Sequence, residues 1–166
     1  MGQVNADNYY AANGTGAPTF PAGLKLDDAA GQTTLNYYAV SSTATTFTFN
    51  GGGGTTGSVT IRYVRIGDWV IIHFPVITGT SGTGSTSLVS NTALDSFARP
   101  ATLAQGGLFP ESLNNGASIA APGFFAISTG GIITFNRDAA GTAWTNSSSC
   151  GSNVSFTWKY YVGTGS

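Results

Sequence analysis

The sequence predicts an all-β protein: an antiparallel β-sandwich or jelly roll that follows an extended, irregular N-terminal arm. Three observations lead to this prediction. Apolar and polar side chains alternate along several segments, which is the two-residue period of a strand. Glycine, asparagine and aspartate separate these segments, as is typical of turns. Charged residues make up only 8% of the 166 residues, and no segment has the spacing of a convincing helix.

The arm is predicted at residues 1–44 and the sandwich head at residues 45–166. Glycine, alanine, asparagine and aspartate dominate the first segment, where Pro18 and Pro21 lie close together. Proline fixes φ and lacks an amide donor, so neither a regular helix nor a central strand is expected there. We therefore expect an extended segment that leads into a compact head.

Residues 58–77 are the clearest predicted hairpin. The first strand alternates apolar and polar side chains, and a tight turn follows at residues 66–68. The second strand, residues 69–77, is apolar on both faces apart from His73 and Pro75. Because an edge strand would show one polar face, we expect this strand in the interior of its sheet.

Three segments beside this hairpin are less regular. A strand at residues 45–50 ends at the glycine run 51–54, which is interpreted as a flexible turn. Residues 78–92 consist largely of glycine, serine and threonine and predict a long loop. Residues 93–115 are interrupted by two prolines and predict one short helix or edge strand.

The C-terminal part predicts a second hairpin and a final strand. The hairpin spans residues 125–135 around a Thr-Gly-Gly turn. A polar segment, residues 137–152, carries Trp144. In the last strand, residues 154–162, five large apolar side chains point one way and polar ones the other, apart from Tyr161.

The low charge predicts self-association. Edge strands are usually protected by lysine or by inward charges, and six basic with seven acidic residues leave few for this task. We expect an oligomer whose interface contains Trp69, His73 and Tyr161. Arg62 and Arg65 fall on opposite faces of one strand, where an inter-strand pair or an interface contact is favoured over anion binding.

Composition argues against several function classes. A net charge of −1 does not favour binding to nucleic acid, which needs a basic patch. No apolar run approaches the length of a membrane span, so no membrane insertion is expected. A single cysteine and a single histidine predict no metal site, and nothing predicts a cofactor.

Few residues of the sequence could take part in catalysis, and the protein is predicted not to be an enzyme. Asp27 and Asp28 are adjacent, but neighbouring residues of an extended segment point to opposite sides. Cys150 is expected to be buried and inert. His73 is interpreted as a satisfied or interface residue, with a catalytic base or lone metal ligand as the alternative. No catalytic residue is therefore assigned.

One loop has the composition of a sugar site. Trp144 lies among Arg137, Asp138 and Asn146, and sugars are bound by rings that stack and polar groups that fix hydroxyls. These four residues are the predicted ligand contacts. The alternative is that Trp144 caps the edge of the core.

Three segments carry a resemblance to a known group of proteins. Residues 33–38, 62–70 and 135–146 resemble segments of the C-terminal heads of phage tail fibres and of virion fibre or decoration proteins of other viruses of microbes. The resemblance covers residues 20–162. It implies a homotrimer of jelly-roll subunits, similar in outline to tumour necrosis factor and C1q heads, at the tip of a fibre that binds a host surface.

The sequence therefore leads to one main hypothesis. The chain is a virion-surface head that forms a homotrimer, binds a host-surface glycan or protein, and joins a capsid or tail component through its N-terminal arm. Two alternatives remain open: a lectin-like carbohydrate-binding module of non-viral origin, and a depolymerase of surface polysaccharide.

Overall fold

The computed structural model describes residues 24–25, 34–35, 38–119 and 121–162. Contacts group the chain into two units, residues 1–38 and 39–166. In the first unit, strand β1 (Leu24–Lys25) pairs antiparallel with β2 (Thr34–Leu35). The other predicted arm residues before Tyr38 lie outside the described part of the chain.

From residue 38 onward the chain is built of strands and one short 3-10 helix (Ser96–Ala98). The strands are β3 (Tyr38–Thr45), β4 (Phe47–Asn50), β5 (Val59–Ile66), β6 (Trp69–Phe74), β7 (Ile77–Ser81), β8 (Ser87–Ser90), β9 (Gln105–Phe109), β10 (Ser112–Asn114), β11 (Ala117–Ile119), β12 (Gly123–Ile127), β13 (Ile133–Asn136), β14 (Ser147–Ser152) and β15 (Phe156–Tyr161).

These strands form three sheets. A five-stranded sheet has the order β4-β8-β13-β12-β9, and a four-stranded sheet has the order β15-β6-β5-β3. A further four-stranded sheet has the order β11-β10-β14-β7. The strand pairs whose register is defined are antiparallel. The predicted fold class, an all-β antiparallel sandwich, is confirmed.

The core between the sheets is rich in phenylalanine. The Phe74 ring of β6 packs against Phe125, Phe135 and Phe156, with centroid separations of 5.2, 5.5 and 4.8 Å. Strand alternation supplies this arrangement, because every second residue of each strand points inward. Rings in such tilted and edge-to-face pairs stabilise the core beyond their buried area.

Both predicted hairpins and the final strand are confirmed, but the second strand of the first hairpin, predicted to extend to residue 77, ends at Phe74, and Ile77 begins β7 of another sheet. In the first hairpin Ile66 pairs with Trp69 around a turn in which Gly67 has φ of 57°. Strand β6 lies between β15 and β5, so its predicted interior position is also correct. In the second hairpin Ile127 pairs with Ile133.

Four segments contain more strand than the sequence predicts. The predicted loop 78–92 holds most of β7 and all of β8, and β14 lies within the polar segment 137–152. Residues 93–115 contain β9 and β10 besides the 3-10 helix. Strand β3 occupies residues 38–45, where the arm was predicted, and forms the edge of its sheet.

The glycine run 51–54 explains why β7 was missed. The Gly82 amide donates to the Gly53 carbonyl at 2.7 Å, and a Cβ at Gly82 would overlap the Gly52 carbonyl. Two backbones therefore pack directly together, and small residues are needed for this contact. The run is a closely packed turn, and its partner strand lacks the apolar alternation that marks a strand.

Among the helical segments of the described residues, none has the length and hydropathy to cross a membrane.

Candidate functional site

The outward side of the four-stranded sheet β15-β6-β5-β3 is the candidate site, and we call it the outer face. Its side chains alternate with the buried ones on the same strands. It consists of Val40, Ser42, Ala44, Thr60, Arg62, Val64, Ile66, Trp69, Ile71, His73, Thr157, Lys159 and Tyr161. Several of these are large apolar side chains that the described chain leaves uncovered, which is uncommon for a lone domain.

One end of the outer face is aromatic. Trp69 and Tyr161 are cross-strand partners whose ring centroids lie 5.4 Å apart at 70°. They are 44% and 43% exposed, and Ile66, which pairs with Trp69 from the other side, is 41% exposed. Lys159 Nζ lies 4.3 Å from the Trp69 ring centroid. We call Ile66, Trp69 and Tyr161 the aromatic end.

The other end of the outer face holds a groove of about 600 Å³. Arg62, His73 and Thr157 are aligned across three strands, and His73 Nδ1 lies 3.3 Å from Thr157 Oγ1. This row is four residues from the aromatic end along β6, or about 13 Å at the usual rise of a strand. The groove is lined by Val40, Ser41, Ser42, Arg62, Tyr63, Val64, Ile71 and His73.

The charges of the outer face have one sign. Arg62 and Lys159 are its cations, and none of its described outward residues is acidic. Arg62 forms no hydrogen bond or ion pair with any residue that the structure describes. Its guanidinium donors are therefore available to a ligand or a partner.

Arg65, three residues along the same strand, is engaged within the subunit. Its Nε donates to the Gly67 carbonyl at 2.6 Å and its Nη1 to the Phe97 carbonyl at 3.0 Å. Its Nη2 lies 3.6 Å from Asp68 Oδ1. The predicted placement of the two arginines on opposite faces is confirmed, and only Arg62 faces outward.

The three residues predicted for an oligomer interface are brought onto this one face. Trp69 and Tyr161 are neighbours at the aromatic end, and His73 lies at the groove. Strand alternation predicts that these side chains share a face. Their role between copies of the chain stays a prediction.

Trp144 lies in the core and not on the surface. It is 1% exposed, its ring meets Phe49 edge to face at 5.5 Å, and its Nε1 donates to the Leu113 carbonyl at 3.2 Å. A sugar cannot stack on a ring whose faces are covered by protein. The structure therefore places Trp144 as the alternative interpretation did, at the edge of the core.

The other predicted ligand residues lie between β13 and β14, with Arg137 and Asp138 before Trp144 and Asn146 after it. Asp138 Oδ1 accepts hydrogen bonds from the Ala140 and Thr142 amides, both at 3.0 Å. Hydrogen bonds from Thr142, first from its side chain and then from its amide, lower the pKa of the Asp138 carboxyl. Arg137 Nη1 donates to the Ala143 carbonyl at 2.7 Å. Both charged side chains thus brace their own loop, whereas Asn146 is exposed.

No metal or nucleophilic centre is present among the described residues. They contain no cluster of three or more histidine, cysteine, aspartate or glutamate side chains that could hold a metal ion. Cys150 is fully buried, as predicted, with Sγ 3.3 Å from Ser81 Oγ. The hydroxyl beside His73 belongs to Thr157, and no described carboxylate contacts the imidazole.

The fold and its outer face define a class: an all-β sandwich with an uncovered apolar sheet surface. No protein-family model matches the chain, and no curated protein matches it significantly. One similar solved structure is the reovirus attachment protein sigma1 in complex with alpha-2,3-sialyllactose, at 15% identity and a TM-score of 0.45. The alignment covers 76% of this chain and 66% of that one, so the chain spans just under two thirds of its length. A similarity of this size carries no argument about function.

Proposed function

We propose that the chain is the head of a virion-surface fibre or decoration protein, which assembles as a homotrimer and attaches to a host-surface glycan. The observation that carries the assembly is the exposed aromatic end of the outer face. The attachment role follows from the sequence resemblance to fibre heads. In this proposal the part of the predicted N-terminal arm that precedes β3, residues 1–37, joins the head to a capsid or tail component.

Covering the aromatic end would stabilise an assembly of copies. Trp69, Tyr161 and Ile66 are each more than two-fifths exposed, and burial of apolar surface contributes about 25 cal/mol per Å². Aromatic side chains are also the residues most enriched at the centres of interfaces. The proposed interface is centred on these three residues and has His73 at its margin.

The charges of the outer face favour a heterologous contact. In a two-fold dimer centred on the aromatic end the same patch meets itself, so Lys159, whose ammonium lies over the Trp69 ring, would approach the same charge of the partner. Like charges that face each other across an interface are costly, by up to several kcal/mol. In a three-fold ring each aromatic end meets a different surface of the next copy, which avoids this repulsion. The charge pattern thus supports a trimer over a dimer.

The attachment site is proposed at the loop of Asp138 and Asn146. The lowered pKa of Asp138 keeps a carboxylate ionised there, and Asn146 exposes an amide. Carboxylates and amides are the groups that fix sugar hydroxyls in binding sites. Arg137 contributes by holding the loop through its bond to Ala143.

A mixing experiment tests the heterologous assembly. A tagged double variant, Trp69→Ser/Tyr161→Ser, loses the two rings of the aromatic end. It keeps the surface that the aromatic end of a neighbouring copy would contact. It is refolded with untagged wild-type chain and captured by its tag. Heterologous assembly predicts that wild-type chain is captured with it. A wild-type protein that associates with itself but is never captured would contradict the heterologous contact.

Binding to whole cells and to a glycan array tests attachment. The proposal expects binding that is weakened by Asp138→Asn, with Asp95→Asn as a matched loss of charge elsewhere in the head. Binding to cells and glycans that is absent for wild-type protein would overturn attachment and favour decoration. Release of reducing ends from host polysaccharide would instead revive the depolymerase alternative.

A further inference from the structure

We propose that the groove at Arg62 and His73 binds a carboxylate-bearing sugar unit, separately from the loop of Asp138. This inference rests on the proposed function in one respect, namely that the ligand is a glycan. The assignment of the carboxylate comes from the groove itself. The carboxylate assignment narrows the ligand to acidic glycans. Sialic acids and uronic acids are the two common sugar units that carry such a carboxylate.

The first argument is charge. Arg62 is exposed, faces the groove and has no partner among the described residues, and no described outward side chain of this sheet is acidic. An uncompensated guanidinium attracts an anion, and its planar fork matches the two oxygens of a carboxylate. A neutral sugar would leave this feature of the groove unused.

The second argument is the row in which Arg62 lies. Register places His73 directly beside Arg62, and Thr157 directly beside His73. The imidazole Nδ1 and the Thr157 hydroxyl form a hydrogen-bonded pair at 3.3 Å, which fixes the ring in this row. With the hydroxyl as the donor to Nδ1, the neutral ring carries its hydrogen on Nε2. A carboxylate held by Arg62 would then meet a second donor at His73, and two convergent donors fix an orientation.

The third argument is the lining of the remaining groove. Val40, Val64 and Ile71 form an apolar surface beside the polar row. Sugar rings present C–H faces as well as hydroxyls, so an apolar wall beside a cation suits a sugar acid. The groove volume of about 600 Å³ lies within the usual range for sites that bind small molecules.

Arg62 and Lys159 provide a matched pair for the test. Both are cations of the outer face, but only Arg62 lines the groove. Arg62→Gln and Lys159→Gln therefore remove the same charge from the same face at different places. Arg62→Lys keeps the charge and removes the fork. Thermal melting and light scattering on each variant check that fold and assembly are unchanged.

The experiment titrates the assembled protein with three methyl glycosides, followed by ligand-observed NMR. The probes are those of N-acetylneuraminic acid, glucuronic acid and neutral glucose. We expect at least one acidic probe to bind, and the neutral one not to bind. Arg62→Gln should weaken the acidic probe by about tenfold or more, Arg62→Lys by less, and Lys159→Gln by about twofold or less.

The outcomes are decisive in each direction. The acidic probe that binds identifies the source, and equal binding of both shows that the carboxylate alone is recognised. No binding of either acid, equal binding of the neutral probe, or equal losses in Arg62→Gln and Lys159→Gln would overturn the groove assignment. If the protein is a trimer and binds neither acidic probe, the groove assignment is refuted and the proposed assembly is not. If the protein is a monomer and binds an acidic probe, the proposed assembly is refuted and the groove assignment is not.

Discussion

The two faces of the sheet β15-β6-β5-β3 carry similar apolar side chains in opposite environments. On the inner face Val70, Ile72 and Phe74 are completely buried. On the outer face of the same strand Trp69 and Ile71 are 44% and 37% exposed. Within one subunit, hydrophobicity therefore does not decide which face is covered. The five-stranded sheet and its phenylalanines cover the inner face, and we propose that neighbouring copies cover the aromatic end of the outer face.

The largest expected difference between the faces is in the cost of truncating an apolar side chain. Phe74→Ala removes a ring that contacts three other phenylalanines, so the free energy of unfolding should fall by about 3–5 kcal/mol. Ile71→Ala, on the outer face of the same strand, should cost the separated subunit about 1 kcal/mol or less. Denaturant unfolding at low protein concentration measures both. Equal losses would show that the outer face is covered within the subunit.

Adjacent tyrosines of β15 give the next comparison. The Tyr160 hydroxyl donates to the Ala98 carbonyl at 2.5 Å in the core, whereas Tyr161 is 43% exposed. Tyr160→Phe leaves that carbonyl without its donor and should cost about 1–3 kcal/mol. Tyr161→Phe, the matched variant on the outer face, should change subunit stability by about 0.5 kcal/mol or less. The same unfolding assay compares them, and the opposite ranking would refute the assignment of faces.

The two faces should also differ in alkaline solution. Burial, followed by the proximity of Tyr63, raises the pKa of Tyr160 above its ordinary value of 10.0. Below about pH 10 the side chain is neutral whether folded or unfolded. Above that pH the unfolded chain loses the proton and the folded one keeps it, so stability falls by up to about 1.4 kcal/mol per pH unit. Unfolding measured from pH 9 upward should show this slope, and Tyr160→Phe should lack the part due to this residue. An unchanged slope would contradict its burial.

The smallest expected difference concerns the two arginines of β5. Arg65→Gln removes hydrogen bonds to the Gly67 and Phe97 carbonyls and should cost about 1–2 kcal/mol. Arg62→Gln removes no hydrogen bond or ion pair among the described residues and should leave subunit stability within about 0.5 kcal/mol of wild type. Thermal melting of the two variants, which carry the same loss of charge, makes the comparison directly. A larger loss for Arg62→Gln would show that its guanidinium is already engaged.

The strands that sequence reasoning found are those whose burial follows an alternating pattern. Phe156, Tyr160 and the residues between them mark β15 clearly, and both hairpins follow from alternation and turn chemistry. Strand β7 was missed because Gly79 packs against the backbone of Thr55 and Thr56, and Gly82, just after the strand, packs against the glycine run; neither contributes an apolar side chain. Strands that pack through backbone contacts at glycine are difficult to recognise from the amino-acid sequence, because they lack the alternating apolar side chains.

The site was predicted less well than the fold, and for a physical reason. Alternation places Trp69, His73 and Tyr161 on one face without showing what covers them. Trp144 was expected to bind sugar because its neighbours are polar, but the fold turns its ring inward against Phe49. The isolation of Arg62 among the described residues depends on where Asp68, Asp95, Glu111 and Asp138 lie, which only the tertiary structure shows.

Sedimentation equilibrium of the wild-type protein at micromolar concentration tests the central claim most directly. If copies cover the aromatic end, the measured mass should be about 51 kDa, three times the chain mass of 16.9 kDa. Trp69→Ser/Tyr161→Ser should reduce it towards the mass of one chain while the circular dichroism of the sandwich is unchanged. A wild-type mass of one chain would contradict the claim that assembly covers the aromatic end.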